Sequence, residues 1–367
     1  MKLINIDIWQ LLDIAEKKKI ICFGAGKKLE NFINDFKEFY IQNKIYCILD
    51  NDENKNESVI NIAGNSLKIY SFKYFQQYMK TNDYIILITS VHVCEILEQL
   101  NSYEQFKDMQ CCYCNFIQGL TNEKEENERY YPKNLRIYDT PQIPKKIHYC
   151  WFGGNEIPEQ NRIWMESWRK YCPDYEIIEW NETNYDITKN PYMYNAYRLK
   201  KWGFVSDYAR LDVIYNYGGI YLDTDVEVVK NLDELLYQDA FAGVDGSKQV
   251  STGLGFGAVP RFHIIKDLLD SYDNMQFDDK NMVACPTLNE KVFRKHNFVK
   301  NGNYQRLDGM TIYPQKVLSG KNAFTGIIAL TKNTFAIHHY DGSWTSEERK
   351  IRTKEIRMLY QKINKED

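Results

Sequence analysis

The sequence predicts an α/β protein of two units joined by a polar linker, and three observations carry that prediction. Apolar runs of strand length alternate with amphipathic helical stretches through residues 1–118. A charge-dense stretch with three prolines near its end, Gly119–Pro144, follows. A fresh apolar strand, KKIHYCWFGG, then opens a second series of elements. Alternating strands and helices bury a sheet between helical layers, which makes a parallel or mixed α/β sheet the expected architecture. The chain is 367 residues long, which suits two domains of roughly 100–200 residues each. We assign 1–118 to a first α/β domain, 119–142 to a linker and 143–367 to a second domain.

In the first domain, KKIICFGAG (Lys18–Gly26) reads as a strand entering a glycine turn, and KLENFINDFKEFY as the helix after it. IYCILDND is a second apolar strand ending in acids, and DYIILITS a third, leading into the helical VHVCEILEQL. Gly24 and Gly26 admit two readings. They would let a backbone approach a pyrophosphate at a helix N-terminus, with Asp50 or Asp52 on a ribose. Alternatively they only make the tight turn of a doubly wound sheet, because Leu29 stands where the third glycine of the dinucleotide fingerprint belongs. The segment resembles the short Rossmann-like N-terminal domains of several bacterial sugar-modifying enzymes.

Composition excludes several classes. The chain is 44% hydrophobic and 26% charged, with a net charge of −3, so no basic stripe for nucleic acid is expected. No apolar run reaches the ~18 residues of a membrane span. The N-terminal MKLINIDIWQLLDIAEKKK carries acids rather than a signal-peptide core. A cytoplasmic setting is expected. The cysteines stand mostly alone in apolar segments, and CCYC (Cys111, Cys112, Cys114) lacks a second ligand pair. They read as buried thiols rather than a zinc site.

The chemistry concentrates in the second domain. KKWGFVSDYARLDVIYNY (Lys200–Tyr217) has apolar residues at helical spacing, and Gly218–Gly219 end the helix. Asp207 and Arg210, three apart, share a face of that helix. So apolar a helix is expected to be buried, and its charges then need partners. Ile220–Leu222 form a short strand, and GGIYLDTDVEV delivers Asp223 and Asp225 at its end. Residues i and i+2 of an extended chain face one side. Two carboxylates so placed repel unless a cation such as Mg²⁺ or Mn²⁺ lies between them. His338 and His339 are adjacent, so only one can enter a site; we favour His339. Trp151, in an apolar strand, reads from its residue type as core or as a platform for a base. Trp164 and Trp168 read as packing. VSTGLGFGAV (Val250–Val259) lacks a phosphate-loop lysine and is expected to form a strand and turn near an acceptor, and Asp245 before it to be solvated.

IPKKIHYCWFGG, SDYARLDVIYNYGGIYLDTDVEVVKNLDELL and FAIHHYDGSW, in that order, resemble the sugar-binding DXD glycosyltransferases of family 32, which include bacterial capsular-polysaccharide and lipooligosaccharide transferases and the eukaryotic initiating α-mannosyltransferases. More distantly, they are similar to the glucosylating clostridial toxins. The resemblance implies a GT-A fold, a nucleotide-sugar donor, a divalent cation (Mn²⁺ or Mg²⁺) and retention of anomeric configuration. It further implies that Trp151, with the Cys150 backbone beside it, stacks on the base. Ser206 and Asp207 hold ribose and sugar hydroxyls, and Arg210 bridges sugar and diphosphate. Tyr221 joins the donor-binding set. Asp225 ligates the metal directly, and Asp223 does so through ribose or water. His339, Ser343 and Trp344 close over the diphosphate or complete the metal shell. The expected donor is UDP-linked, and the acceptor an oligosaccharide or lipid-linked glycan of a bacterial surface polysaccharide, with peripheral membrane contact left open. Competing expectations are a protein acceptor, or a nucleotide-binding oxidoreductase or regulatory module centred on Gly24–Gly26.

Overall fold

A computed structural model describes residues 1–78, 83–342 and 345–366. In the first half of the chain the strands are β1 (Lys2–Leu3), β2 (Lys19–Phe23), β3 (Ile45–Asp50), β4 (Val59–Ile62), β5 (Asn65–Ser71), β6 (Tyr84–Ile88) and β7 (Gln110–Tyr113). The helices are α1 (Ile8–Ala15), α2 (Lys27–Asp35), α3 (Phe72–Phe75), α4 (Val93–Asn101) and α5 (Cys114–Glu128). The strands make one sheet in the order β1-β7-β6-β2-β3-β5-β4. It is parallel except for the β4–β5 edge hairpin. Strands β2 and β6 are buried almost throughout, as expected of parallel strands covered on both faces.

The chain turns from one side of the sheet to the other at β2, where doubly wound sheets place ligands. Here that point is tightly built. A Cβ on Gly24 would lie 2.9 Å from the Thr89 carbonyl oxygen, and Gly24 has φ +115°. The Asp50 carboxylate accepts a hydrogen bond from the Ala25 amide and pairs with Lys55 at 3.0 Å. The glycine turn is thus satisfied by the protein itself.

The second half contributes β8 (Lys146–Cys150), β9 (Glu176–Trp180), β10 (Gly219–Tyr221), β11 (Val226–Val228), β12 (Ala240–Val244), β13 (Val250–Ala258), β14 (Gln305–Leu307), β15 (Met310–Tyr313) and β16 (Ala336–His338). Its helices are α6 (Glu159–Tyr171), α7 (Pro191–Arg198), α8 (Trp202–Tyr217), α9 (His263–Asp270), α10 (Cys285–Lys295), α11 (Gln315–Leu318) and, last in the chain, α12 (Glu347–Glu366). A mixed sheet runs β14-β15-β12-β13-β10-β8-β9, and β11 pairs antiparallel with β16 in a separate ribbon. Gly218 ends α8 with φ +62°, and its missing Cβ leaves room for Pro260, which would otherwise be 2.7 Å away. The chain therefore reverses into β10 without a loop.

The chain divides into two compact units, one of Met1–Glu125, Phe324–Gly326 and Glu347–Asp367, the other of Glu126–Ala323 and Ile327–Ser346. These limits differ from those expected. The stretch taken as linker, 119–142, is helical as far as Glu128, because its Leu, Glu and Lys residues are good helix formers despite the charge. The C-terminal helix α12, assigned above to the second domain, buries Ile356, Tyr360 and Ile363 in the core of the first unit. Among the described residues no helix is long and apolar enough to cross a membrane.

Candidate functional site

Helix α8 is buried on nearly every side, and its polar residues Ser206, Asp207 and Arg210 are buried with the apolar ones. One turn apart, Asp207 and Arg210 meet, with Nη2 of the guanidinium 3.2 Å from Asp207 Oδ1. The same Nη2 lies 3.3 Å from Asp223 Oδ1, and Nε donates to the Ser206 carbonyl at 3.1 Å. Arg210 also lies over the Tyr221 ring, 5.1 Å from its centroid, and the Tyr221 hydroxyl donates to Asp223 Oδ1 at 2.9 Å. Helix and strand end are thereby tied through one cation.

Burial sets the electrostatics. It pushes the Asp207 carboxyl up to about 6, against the pull of Arg210. The Asp223 carboxyl is also raised, by burial and the nearby Asp225 charge, with Arg210 opposing. Two acids held close to one arginine and reluctant to ionise leave room for further positive charge.

That charge has a place to sit. Asp223, Asp225 and His338 each present a ligand atom within 4.8 Å of the others, and His338 Nε2 is 3.3 Å from Asp225 Oδ1. His338 Nδ1 is buried without a hydrogen-bond partner among the described residues. Opposite Asp223 lies Gly253, whose Cβ would stand 2.6 Å from Asp223 Oδ2 and 3.2 Å from Arg210 Nη1. The donor set of two carboxylates and an imidazole fits a divalent cation. Backbone groups hold the loop: the Asp341 amide donates to Asp225 Oδ2 at 2.9 Å, and the His339 amide to the Asp225 carbonyl. Asn161 of α6 donates to Thr224 Oγ1, and the indole of Trp168 to the Val226 carbonyl.

His339, favoured from the sequence as the metal histidine, points elsewhere. Its Nε2 meets Glu227 at 2.9 Å, and its ring stacks on Trp164 with centroids 4.1 Å apart. The register of β16 against β11 pairs His338, not His339, with Val226 beside the acids. Trp164 is thus a stacking partner rather than only packing, whereas Trp168 is fully buried.

The remaining expected residues divide. Cys150 is buried, its thiol pushed up to about 12 by burial, with Arg210 opposing. Trp151 is half-buried after β8, and its indole donates to the Asn155 carbonyl at 2.6 Å. Ser206 Oγ turns back to the Trp202 carbonyl. Ser343 and Trp344 lie outside the described residues. Asp245 caps its own turn through the Ser247 and Gln249 amides. The nine cysteines are free thiols.

Two contributors went unread in the sequence. Cys285, first residue of α10, lies 3.9 Å from Arg210 Nη1 and 3.7 Å from Thr252 Oγ1. A lone cysteine in VACPTL carries no spacing signal, so only tertiary structure could reveal it. Gly253, in the segment expected near an acceptor, turns its missing Cβ toward Asp223 and Arg210. On β8, paired with Tyr221 of β10, His148 is buried between two partners of fixed role. The Trp180 indole can only donate, so Nδ1 accepts at 3.0 Å, and the Gly218 carbonyl can only accept, so Nε2–H donates at 2.9 Å.

A buried arginine shared by a helix acid and a strand-end acid, beside a D-x-D pair and an imidazole, brings together groups whose chemistry suits a cation and an anionic ligand. Comparison with known proteins gives that class a family context. Residues 158–242 match the model described as glycosyltransferase sugar-binding region containing DXD motif, a span that includes α8 and both acids. "Inositol phosphoceramide mannosyltransferase 3" of Schizosaccharomyces pombe is 36% identical over 118 residues, covering 29% of this chain and 32% of that protein. "Mannosyl phosphorylinositol ceramide synthase CSH1" of Saccharomyces cerevisiae is 33% identical over 138 residues, covering 35% of each. The chain thus spans about a third of the length of these relatives. Among solved structures, "PaToxG Glycosyltransferase" is 20% identical, with a TM-score of 0.37 over 49% of this chain and 78% of that one. The curated relatives named here are fungal, not bacterial capsular transferases.

Proposed function

We propose that this protein is a metal-dependent, retaining glycosyltransferase that moves a hexose or N-acetylhexosamine from a nucleotide sugar, UDP-linked by preference, to a glycan acceptor. The observation that carries the reading is the shared buried Arg210, bound at once to Asp207 and Asp223 and lying at the edge of the D-x-D pair. The match of residues 158–242 supports it. The setting proposed is the cytoplasm of a bacterium, in synthesis of a surface polysaccharide. The names of the fungal relatives favour mannose among hexoses and a lipid-borne acceptor.

Mn²⁺ or Mg²⁺ held by Asp223, Asp225 and His338 would neutralise negative charge on a departing diphosphate. The imidazole in that set favours Mn²⁺ over Mg²⁺, which prefers an all-oxygen shell. Arg210, fixed by two carboxylates and the Ser206 carbonyl, presents its cation without reorganising, which is the condition for electrostatic stabilisation of developing charge. Asp207, buried on the helix, accepts donor-sugar hydroxyls, and Trp151 offers a half-buried ring to the base. In the step itself, the bond from the anomeric carbon to the diphosphate oxygen breaks and the acceptor oxygen bonds to that carbon on the same face. The acceptor proton passes to the leaving diphosphate. Asp207 and Asp223 are both engaged with Arg210, which favours this route over one through a carboxylate nucleophile.

A screen of nucleotide sugars for hydrolysis and transfer, with and without Mn²⁺, tests the reading. Divalent-dependent turnover of a hexose donor is the expected result.

A further inference from the structure

The mixed sheet has two ends, and the acids of the D-x-D pair occupy one. At the other, where Gly219, Ala240 and Met310 meet Ala258 or its neighbours in register, a different group converges. His263 opens α9, His296 follows the last residue of α10, and Asp308 stands in the turn between β14 and β15. Each presents a ligand atom within 4.8 Å of the other two. We infer that His263, His296 and Asp308 form a second metal site, selective for a borderline transition ion such as Zn²⁺, that ties three separate elements together.

The chemistry differs from that of the acid pair. Two imidazoles and one carboxylate suit Zn²⁺, which accepts nitrogen and oxygen in a low coordination number, and suit Mg²⁺ poorly. His296 is already oriented as a ligand would be. Its Nδ1 faces Asp308 Oδ2 at 2.8 Å, while Nε2 faces Asp267 Oδ2 at 2.7 Å. A carboxylate on the far nitrogen of a ligating histidine fixes its tautomer and ring angle. Asp267 comes from α9, four residues beyond His263, so one helix face supplies a ligand and the brace of another. His263 has only ring contacts among the described residues, with Phe262 and, edge-on at 5.8 Å, His296. It is exposed, so its ring can turn to an ion by giving up only the contact with Phe262. The site lies open to solvent, so an entry path exists, and its place at the opposite end of the sheet from the acids assigns it to stability rather than turnover.

The test uses the full chain carrying Asp225→Asn, to weaken cation binding at the other end, with Asp223→Asn as an alternative background if the first does not fold. The protein is stripped with chelator and titrated with Zn²⁺ by calorimetry and thermal melting. One equivalent is expected to bind, and at a hundredfold excess over Kd the melting temperature should rise by roughly 5 °C. Adding His263→Gln should remove the rise while leaving the metal-free melting temperature unchanged. Adding Asp308→Asn should weaken binding at least tenfold. No Zn²⁺-dependent rise, or a rise that survives His263→Gln, overturns the inference and leaves His296 as an ion-paired imidazolium.

Discussion

Arg210 and Asp223, on consecutive elements of the chain, are joined by a contact of 3.3 Å beneath a glycine that has no room for a Cβ. Through that contact the end of β10 is held against α8, and the position of the D-x-D acids depends on a residue more than a turn of helix away from the strand.

Replacing Arg210 should expose how much this contact does. Arg210→Ala leaves the buried Asp207 carboxylate without its cation and takes the cation from the half-buried Asp223, and is expected to cost about 3 kcal/mol in denaturant unfolding. Arg210→Lys keeps the charge but not the planar guanidinium whose Nε holds the Ser206 carbonyl while Nη2 meets both acids. It should fold and lose roughly 100-fold or more in kcat. A Lys variant with ordinary turnover would show that the planar geometry is irrelevant.

Gly253→Ala is a sharper probe, because nothing in the backbone angle forbids alanine there. The new methyl would be placed 2.6 Å from Asp223 Oδ2, so the carboxylate must move. Turnover is expected to fall and the divalent-ion concentration for half-activation to rise, with melting little changed. Steady-state kinetics against Mn²⁺ concentration, alongside circular dichroism, reads both.

The two histidines separate by function. His338→Ala should raise the Mn²⁺ requirement by roughly tenfold or more, as loss of a group at a metal site does. His339→Ala removes the Glu227 bond and the Trp164 stack. It should cost about 1 kcal/mol of stability while sparing metal affinity. Equal metal requirements in the two variants would contradict the assignment of His338.

These residues also show where sequence patterning stops being informative. Helix α8, its Asp207–Arg210 spacing, the glycine stop and the acids after β10 were legible because each rests on local rules of periodicity and turn chemistry. Alternation along a strand revealed that one of His338 and His339 must face away, but the choice depends on the register with β11, which is set by a pairing more than a hundred residues distant. Gly253 and Cys285 are legible only in three dimensions, one as space left for a carboxylate, the other as a thiol against a guanidinium. Charged composition suggested a linker where helix propensity extends α5 to Glu128. The C-terminal helix gave no sign of the unit whose core it joins.

His148 makes stability depend on pH in a stated direction. Burial lowers its pKa to about 4 from the usual 6.5. Between those values the unfolded chain binds more proton than the folded one, so stability falls as pH drops from 6.5 through 4. The full effect of 2.5 pH units corresponds to about 3 kcal/mol. His148→Gln can keep both hydrogen bonds without titrating. Its unfolding free energy should be flatter than wild type over that interval by about this amount; parallel curves would contradict the environment assigned to His148.

Nucleotide-sugar turnover by wild type and Asp225→Asn, measured at saturating donor with and without Mn²⁺, bears on the central claim most directly. Wild type should turn over a hexose donor only with the divalent ion, and Asp225→Asn should be folded and inactive under both conditions. Near-normal, metal-independent turnover in Asp225→Asn would contradict the account.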